Sequence, residues 1–150
     1  MKQRETLKIR RRDGIDDIPL PEYKSEHAAG LDLCAAVDEP VIIAPGDIKL
    51  IPTGLYVEIP QGCEGQIRAR SGLALKHGLM LPNSPGTIDA DYRGELQVIV
   101  GNVGREPFTI TRGMRFAQLI IARYEPVRVE LVDELSNTQR GAGGFGHTGR

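Results

Sequence analysis

The twelve residues from 83 to 94 hold more reactive side chains than a connecting segment needs. They read Asn-Ser-Pro-Gly-Thr-Ile-Asp-Ala-Asp-Tyr-Arg-Gly, and so place two carboxylates, an aromatic ring and an amide close together. A carboxylate that is ionised at neutral pH can orient a water molecule and accept its proton. If the segment is extended, Asp89 and Asp91 share one face and Ile88 lies on the other. An isolated Asp-x-Asp pair more often belongs to a polar turn than to a reactive site. The other segments of the chain decide between these two interpretations.

Other segments supply groups that bind phosphate or order water. Asp32 stands between apolar neighbours, which indicates a carboxylate fixed at the start of a strand. Arg70, Ser71 and Gly72 offer a guanidinium, a hydroxyl and backbone amides in front of a short predicted helix, and such groups bind anions. Gln118 follows Phe116 by two residues, so we predict that both lie on one face of a strand. Each feature alone is more often a cap or an exposed strand residue, but together they favour an anion site.

The end of the chain has a different composition. Five of the last fifteen residues are glycine, and Phe145 is the only large apolar side chain after Leu135. Such a segment buries too little surface to offset its ordering entropy, so we predict a mobile tail in the free protein. Residues 141–146 match G-x-G-x-x-G but lack the strand and helix that a dinucleotide site requires. We expect one β domain over residues 1–135, with residues 136–150 as its flexible flap rather than a frayed terminus.

Composition narrows the class of protein. A chain of 150 residues, 40% of them hydrophobic, suits a single globular domain. Its net charge of −1 argues against a general nucleic-acid binder. Apolar runs are too short for a membrane span or a signal peptide. Cys34 and Cys63 have no ligand-spaced partner. We therefore expect free thiols and a cytoplasmic protein that binds neither nucleic acid nor membrane.

Short alternating apolar runs, separated by turn residues, must position these groups. They predict strands at residues 41–43, 55–59, 66–70, 79–82, 96–100, 108–110, 114–121 and 127–131, with an edge strand around Leu7 and Ile9. A helix is predicted only at 71–77, with Ser71 as its N-cap and Gly78 as its left-handed stop. This pattern is typical of an all-β sandwich or barrel.

Taken in order, the polar segments resemble the motifs of the homotrimeric dUTPase family. The matching stretches are Ala29-Gly-Leu-Asp-Leu, Arg70-Ser-Gly-Leu, Thr87-Ile-Asp-Ala-Asp-Tyr-Arg-Gly, Arg112-Gly-Met-Arg-Phe-Ala-Gln and Arg140-Gly-Ala-Gly-Gly-Phe-Gly. The resemblance extends over about residues 28–149. It implies a jelly-roll-like β-barrel subunit and a homotrimer in which each active site is built from all the chains. It also implies hydrolysis of dUTP to dUMP and pyrophosphate with magnesium (Mg2+).

The resemblance further implies a role for each matched residue. Asp89 should hold the attacking water, Asp32 should order water around the metal ion, and Tyr92 should lie against the deoxyribose, where it excludes a ribose 2′-hydroxyl. The other implied contacts are Asn83, Gly86, Thr87 and Ile88 at the uracil edge; Gln97 near the nucleoside; Arg70, Ser71, Gly72 and Gln118 at the phosphates; and Arg140, Phe145, Gly146, His147 and Thr148 in the flap, with Phe145 stacked over uracil.

Two other functions share part of this pattern. A dCTP deaminase resembles this family in fold, but it needs a glutamate base in the third segment, where this chain has Asp89. A module that holds nucleotide only as a regulatory ligand would not require an intact set of water- and phosphate-orienting residues. The chain also departs from the family pattern at His147, where Ser is usual, and at Gln97, where Met or Lys is common.

Overall fold

The computed structural model describes residues 5–146, which form β-strands and one short helix. The strands are β1 (Lys8–Arg11), β2 (Leu31–Cys34), β3 (Val41–Ile43), β4 (Ile48–Glu58), β5 (Cys63–Ala69), β6 (Leu79–Met80), β7 (Gly86–Ile88), β8 (Glu95–Asn102), β9 (Phe108–Ile110) and β10 (Arg115–Arg123), and the helix is α1 (Ser71–His77). The predicted all-β fold with a single short helix is thereby confirmed. That helix is too short to cross a membrane, and no other helix occurs within residues 5–146.

The strands pair antiparallel in three sheets, with neighbours drawn from distant parts of the chain. Sheet A has the order β1-β4-β8-β6, sheet B has the order β2-β10-β5-β7, and β3 pairs with β9. This arrangement agrees with a jelly-roll-like fold, although the described strands form separate sheets rather than one closed barrel. The predicted edge strand is β1, which lies at the end of sheet A.

One hydrophobic core joins the two large sheets. Side chains from both sheets belong to it, including Leu96 and Val98 of sheet A and Leu33, Ile67 and Leu119 of sheet B. Along β8, buried residues alternate with more exposed ones, because successive side chains of a strand point to opposite faces. Each fully buried Leu, Ile or Val contributes about 1.5–3 kcal/mol relative to an exposed one. The core therefore holds together the two sheets that carry the polar groups.

Residues 79–94 do not form the simple hairpin connection that their apolar flanks suggest. β6 and β8 belong to sheet A, but β7 lies between them in sequence and pairs with β5 in sheet B. The segment therefore passes from one sheet to the other and back. This crossing, which depends on pairing with a distant strand, places the reactive residues between β7 of sheet B and strands β4 and β8 of sheet A.

Two local predictions are wrong. Arg70, and not Ser71, is the N-cap of α1, and it makes no side-chain capping bond, although Gly78 ends the helix at φ 70° as predicted. Residues 127–131 form no strand, and their apolar side chains are exposed, with Leu131 at 98%. An alternating segment becomes a strand only when a neighbouring strand pairs with it, and the single chain offers none here.

Arg112 belongs to the fourth matched stretch but has a structural role. Its guanidinium donates hydrogen bonds to both carboxylate oxygens of Asp17, at 2.8 Å each, and to the carbonyl of Gly14. The hydrogen bond from Arg112 holds the pKa of the Asp17 carboxyl below its usual value. The contact ties the loop after β1 to the start of β10.

Candidate active site

A cleft of about 400 Å³ lies beside the N-terminal end of α1 and the middle of sheet B. Its lining residues are Asp32, Arg70, Ser71, Gly72, Leu73, Lys76, His77 and Gln118. The four predicted phosphate ligands and the predicted water-ordering carboxylate therefore lie together. We refer to this as the cationic cleft.

Asp32 pairs with Arg70 of the cationic cleft and with the neighbouring Arg115. Its carboxylate lies 3.0 Å from Nη1 of Arg115 and 3.6 Å from Nε of Arg70, and its side chain is only 16% exposed. Arg70 also donates a hydrogen bond from Nη1 to the carbonyl of Arg115 at 2.7 Å. A guanidinium held on several sides loses little further freedom when an anion binds. The cleft is therefore prepared for phosphate oxygens before any ligand arrives.

A bulge in β10 decides where Gln118 lies. The pairing of β10 with β2 shifts between Arg115 and Ala117, so that Phe116 and Ala117 are both buried, while Gln118 is directed into the cationic cleft. The prediction that Phe116 and Gln118 share a face is wrong because the bulge interrupts the strand alternation. Gln118 donates a hydrogen bond to the carbonyl of Ala69 at 2.9 Å.

Gly30 leaves the space that the Gln118 side chain occupies. A Cβ atom at position 30 would lie 2.2 Å from Oε1 of Gln118. Any larger residue there would displace the amide. This close approach explains why position 30, in the first matched stretch, is occupied by glycine.

A second cleft, of about 300 Å³, contains most of the predicted base, sugar and water ligands. Its lining residues are Leu50, Asn83, Thr87, Ile88, Asp89, Tyr92, Glu95, Gln97 and Ile99. We refer to this as the nucleoside cleft. Gly86 is buried in β7, and a Cβ there would lie 3.1 Å from Nδ2 of Asn83, so its backbone packs closely behind the cleft.

Asp89 and Asp91 do not share an extended face, contrary to expectation. A turn begins at Asp89, and the amide of Tyr92 donates to the carbonyl of Asp89 at 3.1 Å. Asp89 lines the nucleoside cleft and also a neighbouring cleft of about 550 Å³ with Glu64 and Tyr124. Asp91 lines only that neighbouring cleft. Both carboxylates therefore line the neighbouring cleft, but only Asp89 also lies beside the predicted nucleoside ligands.

The flap residues lie apart from both clefts in the single chain. Arg140 donates from Nε to the carbonyl of Gly143 at 2.8 Å, and Phe145 is fully exposed. Gly146 is also exposed and has φ 95°. His147 and Thr148 lie outside the described residues. The described part of the chain therefore brings the predicted ligands into two separate clefts and leaves the described tail beside neither.

Sequence reasoning missed three ionisable residues that line these clefts. Lys76 and His77 enter the cationic cleft, and Lys76 forms no salt bridge with any residue in the described range. Their spacing from Gly72 and Leu73, four residues along a helix, could have identified them. The His77 ring packs 4.8 Å from Phe108, which fixes its orientation. Glu95 enters the nucleoside cleft through contacts that no sequence spacing indicates.

These residues fit a magnesium ion only when phosphate oxygens supply part of its ligands. Among residues 5–146, no three His, Cys, Asp or Glu side chains are grouped closely enough to hold a metal ion. The Asp32 carboxylate is already paired with two arginines. Magnesium commonly keeps several water ligands and binds through phosphate oxygens and one or two carboxylates. The residues therefore fit an ion that arrives with a triphosphate and meets Asp32 through water.

Comparisons with known proteins identify the family of the chain. A family model described as dUTPase matches residues 16–149. Deoxyuridine 5'-triphosphate nucleotidohydrolases of Rickettsia felis and Rickettsia massiliae are each 58% identical over 130 residues, covering 87% of this chain and 88% of theirs. The solved structure of the Staphylococcus bacteriophage 80alpha dUTPase with dUPNHPP has a TM-score of 0.86 at 26% identity, covering 98% of this chain and 100% of that one. The family model and the relatives each cover most of the sequence, and on this basis the chain belongs to the dUTPase family of hydrolases.

Proposed function

We propose that this chain hydrolyses dUTP to dUMP and pyrophosphate, with magnesium bound across the triphosphate. The observation that carries the proposal is the distribution of the predicted ligands between two clefts. Those expected at the phosphates line the cationic cleft, and those expected at the base, the sugar and the attacking water line the nucleoside cleft. The two Rickettsia relatives are nucleotidohydrolases of deoxyuridine triphosphate, which supports the same substrate.

Asp89 acts on water. Its side chain is exposed at the end of β7, and an ionised carboxylate there orients a water molecule and accepts its proton as the bond to phosphorus forms. Arg70, Ser71 and Gln118 hold the phosphates in line with that water. Phosphoryl transfer depends mostly on such positioning and on charge stabilisation. Magnesium, when bound, offsets part of the negative charge of the triphosphate.

Asn83 and the backbone of β7 select the base. The strand packs so closely against Asn83 that a base presented to it meets rigid backbone. Rejection of the thymine methyl group requires a steric clash, because one favourable methylene contact is worth only about 1–3 kcal/mol. The backbone of β7, which is paired with β5 at the edge of sheet B and is buried at Gly86, lies where it would meet such a methyl group.

Each complete site is shared within a homotrimer. In the single chain the cationic and nucleoside clefts have no lining residue in common. The apolar side chains of residues 127–131 are also left uncovered, which supports association with neighbouring chains. We propose that the cationic cleft of one chain faces the nucleoside cleft of a second, and that residues 136–150 of a third close over both as a flap. The buried free thiols of Cys34 and Cys63 support a cytoplasmic location.

The assembly predicts a definite mass. Light scattering on the purified protein should give three times the 16.4 kDa chain mass, about 49 kDa. The reason is that a closed, symmetric assembly completes three sites at once. Activity should fall on dilution below the concentration at which the trimer dissociates. A monomer that retains full activity would contradict the shared sites.

Substrate comparison tests the function itself. With magnesium present, pyrophosphate release should be fast from dUTP and much slower from dTTP, dCTP and UTP. The methyl group of dTTP would collide with the backbone of β7. The amino group of dCTP would not match the hydrogen-bonding groups of Asn83 and β7 that bind uracil, and the 2′-hydroxyl of UTP would collide with Tyr92. Ammonia release from dCTP would instead establish a deaminase. Equal rates with all four nucleotides would contradict the proposed selectivity.

A further inference from the structure

The position of the Tyr92 ring depends on the backbone of Glu95. The Tyr92 hydroxyl donates a hydrogen bond to the Glu95 carbonyl at 3.0 Å. The ring lies over Gly94, where a Cβ atom would be 2.5 Å from the ring carbon Cζ. Tyr92 is otherwise 44% exposed, so this tether and the contact with Gly94 are its main restraints.

The Glu95 side chain is itself held by an irregularity in β4. The pairing of β4 with β8 shifts between Pro52 and Leu55, and Gly54 within that shift has φ 68°. This conformation aims the Gly54 amide at Glu95, whose Oε1 accepts its hydrogen bond at 2.8 Å. A bulge of this kind redirects backbone groups away from the regular ladder.

Arg12, which follows the edge strand β1, makes a second contact with the Glu95 side chain. Nη1 of Arg12 lies 3.7 Å from Oε1 of Glu95, and the backbone amide of Arg12 donates to the Gly54 carbonyl at 2.7 Å. The Glu95 side chain is only 18% exposed, so solvent screens this pair less than it screens a surface pair. The carboxylate is therefore fixed by two contacts on one oxygen, and both come from outside the substrate-binding segment.

We infer that Glu95 is a positioning residue that sets the discrimination between deoxyribose and ribose. Its carboxylate, anchored by Gly54 and Arg12, adds to the pairing of Glu95 with Tyr56 of β4 in holding the carbonyl to which the Tyr92 hydroxyl is tethered. The tether in turn holds the ring where a 2′-hydroxyl would collide with it. This inference rests on the proposed function, because it assumes that Tyr92 contacts the sugar of dUTP.

The test compares substitutions that keep or remove the anchor. Glu95→Ala removes the acceptor of the Gly54 amide, whereas Glu95→Gln keeps an oxygen there, and Glu95→Asp keeps the charge but shortens its reach. We expect the ratio of kcat/KM for dUTP to that for UTP to fall by roughly fivefold to tenfold in Glu95→Ala and Glu95→Asp. Glu95→Gln should stay within about twofold of wild type, because the bond from Gly54 persists.

A matched control and a double-mutant cycle separate positioning from general stability. Glu58→Ala removes an ion-paired glutamate of the same sheet that lines neither cleft, and it should leave the ratio unchanged. Tyr92→Phe, which lacks the tether, should lower the ratio, and combining it with Glu95→Ala should add little, because both changes free the same ring. Glu95→Asp provides the test should Glu95→Ala fail to fold.

Different results would overturn the proposed function and the positioning role of Glu95. A wild-type enzyme that releases no pyrophosphate from dUTP overturns the proposed function. An active wild type in which Tyr92→Phe lowers the ratio, but Glu95→Ala and Glu95→Asp change only the melting temperature, overturns the positioning role of Glu95. Additive effects in the double mutant overturn it as well.

Discussion

Replacing Asp89 by Asn should lower kcat by a factor of roughly 10²–10⁴, the usual range for loss of a general base. An amide keeps the size of the side chain and can still contact water, but it cannot accept the proton. Because Asp89 is exposed and lies outside the hydrophobic core, the fold should be unaffected. Steady-state pyrophosphate release measures kcat, and calorimetric titration with a non-hydrolysable dUTP analogue should show that nucleotide binding persists.

Asp91→Asn is the matched control for this experiment. It makes the same chemical change two residues away in the same turn, yet Asp91 does not line the nucleoside cleft. Its kcat should remain within a fewfold of wild type. Near-wild-type turnover in Asp89→Asn, or an equal loss in both variants, would remove Asp89 from the proposed role.

Deleting residues 140–150 should leave a folded trimer that has lost most of its kcat/KM. None of the described residues after Arg123 belongs to a strand or to the hydrophobic core, so residues 140–146 take no part in holding the sheets together. What the deletion removes is the guanidinium of Arg140, which can meet phosphate charge, and the ring of Phe145, whose stacking on a base is worth about 1–3 kcal/mol. Circular dichroism and light scattering check the fold, and dUTP hydrolysis checks the loss.

Substitutions at Phe145 separate the contribution of its ring to kcat/KM from that of the rest of the tail. Phe145→Ala should cause a smaller loss than the deletion, because Arg140 and the backbone amides remain. Phe145→Tyr should restore most of the activity, since it keeps a ring that can stack on the base. Phe145 is fully exposed in the single chain, so its replacement cannot act through the core. A tail-deleted enzyme with full activity would defeat the flap proposal.

The sequence by itself determined the fold class and indicated the candidate residues of the site. Strand alternation is a local property with a period of two residues, so β3, β8 and β9 could be located from their own side chains. The left-handed stop of α1 could be predicted because Gly78 has few competitors for that conformation. The predicted phosphate ligands followed from residue types and motif order.

Tertiary structure alone decided which of these groups meet. The bulge that turns Gln118 into the cationic cleft, and the one that aims the Gly54 amide at Glu95, arise where two distant strands pair out of register. The failed strand at residues 127–131 has the same origin, because alternation supplies a face but not a partner. Pairing, bulges and clefts depend on contacts between residues far apart in the chain, and the free energy of such contacts is not encoded in any single window of sequence.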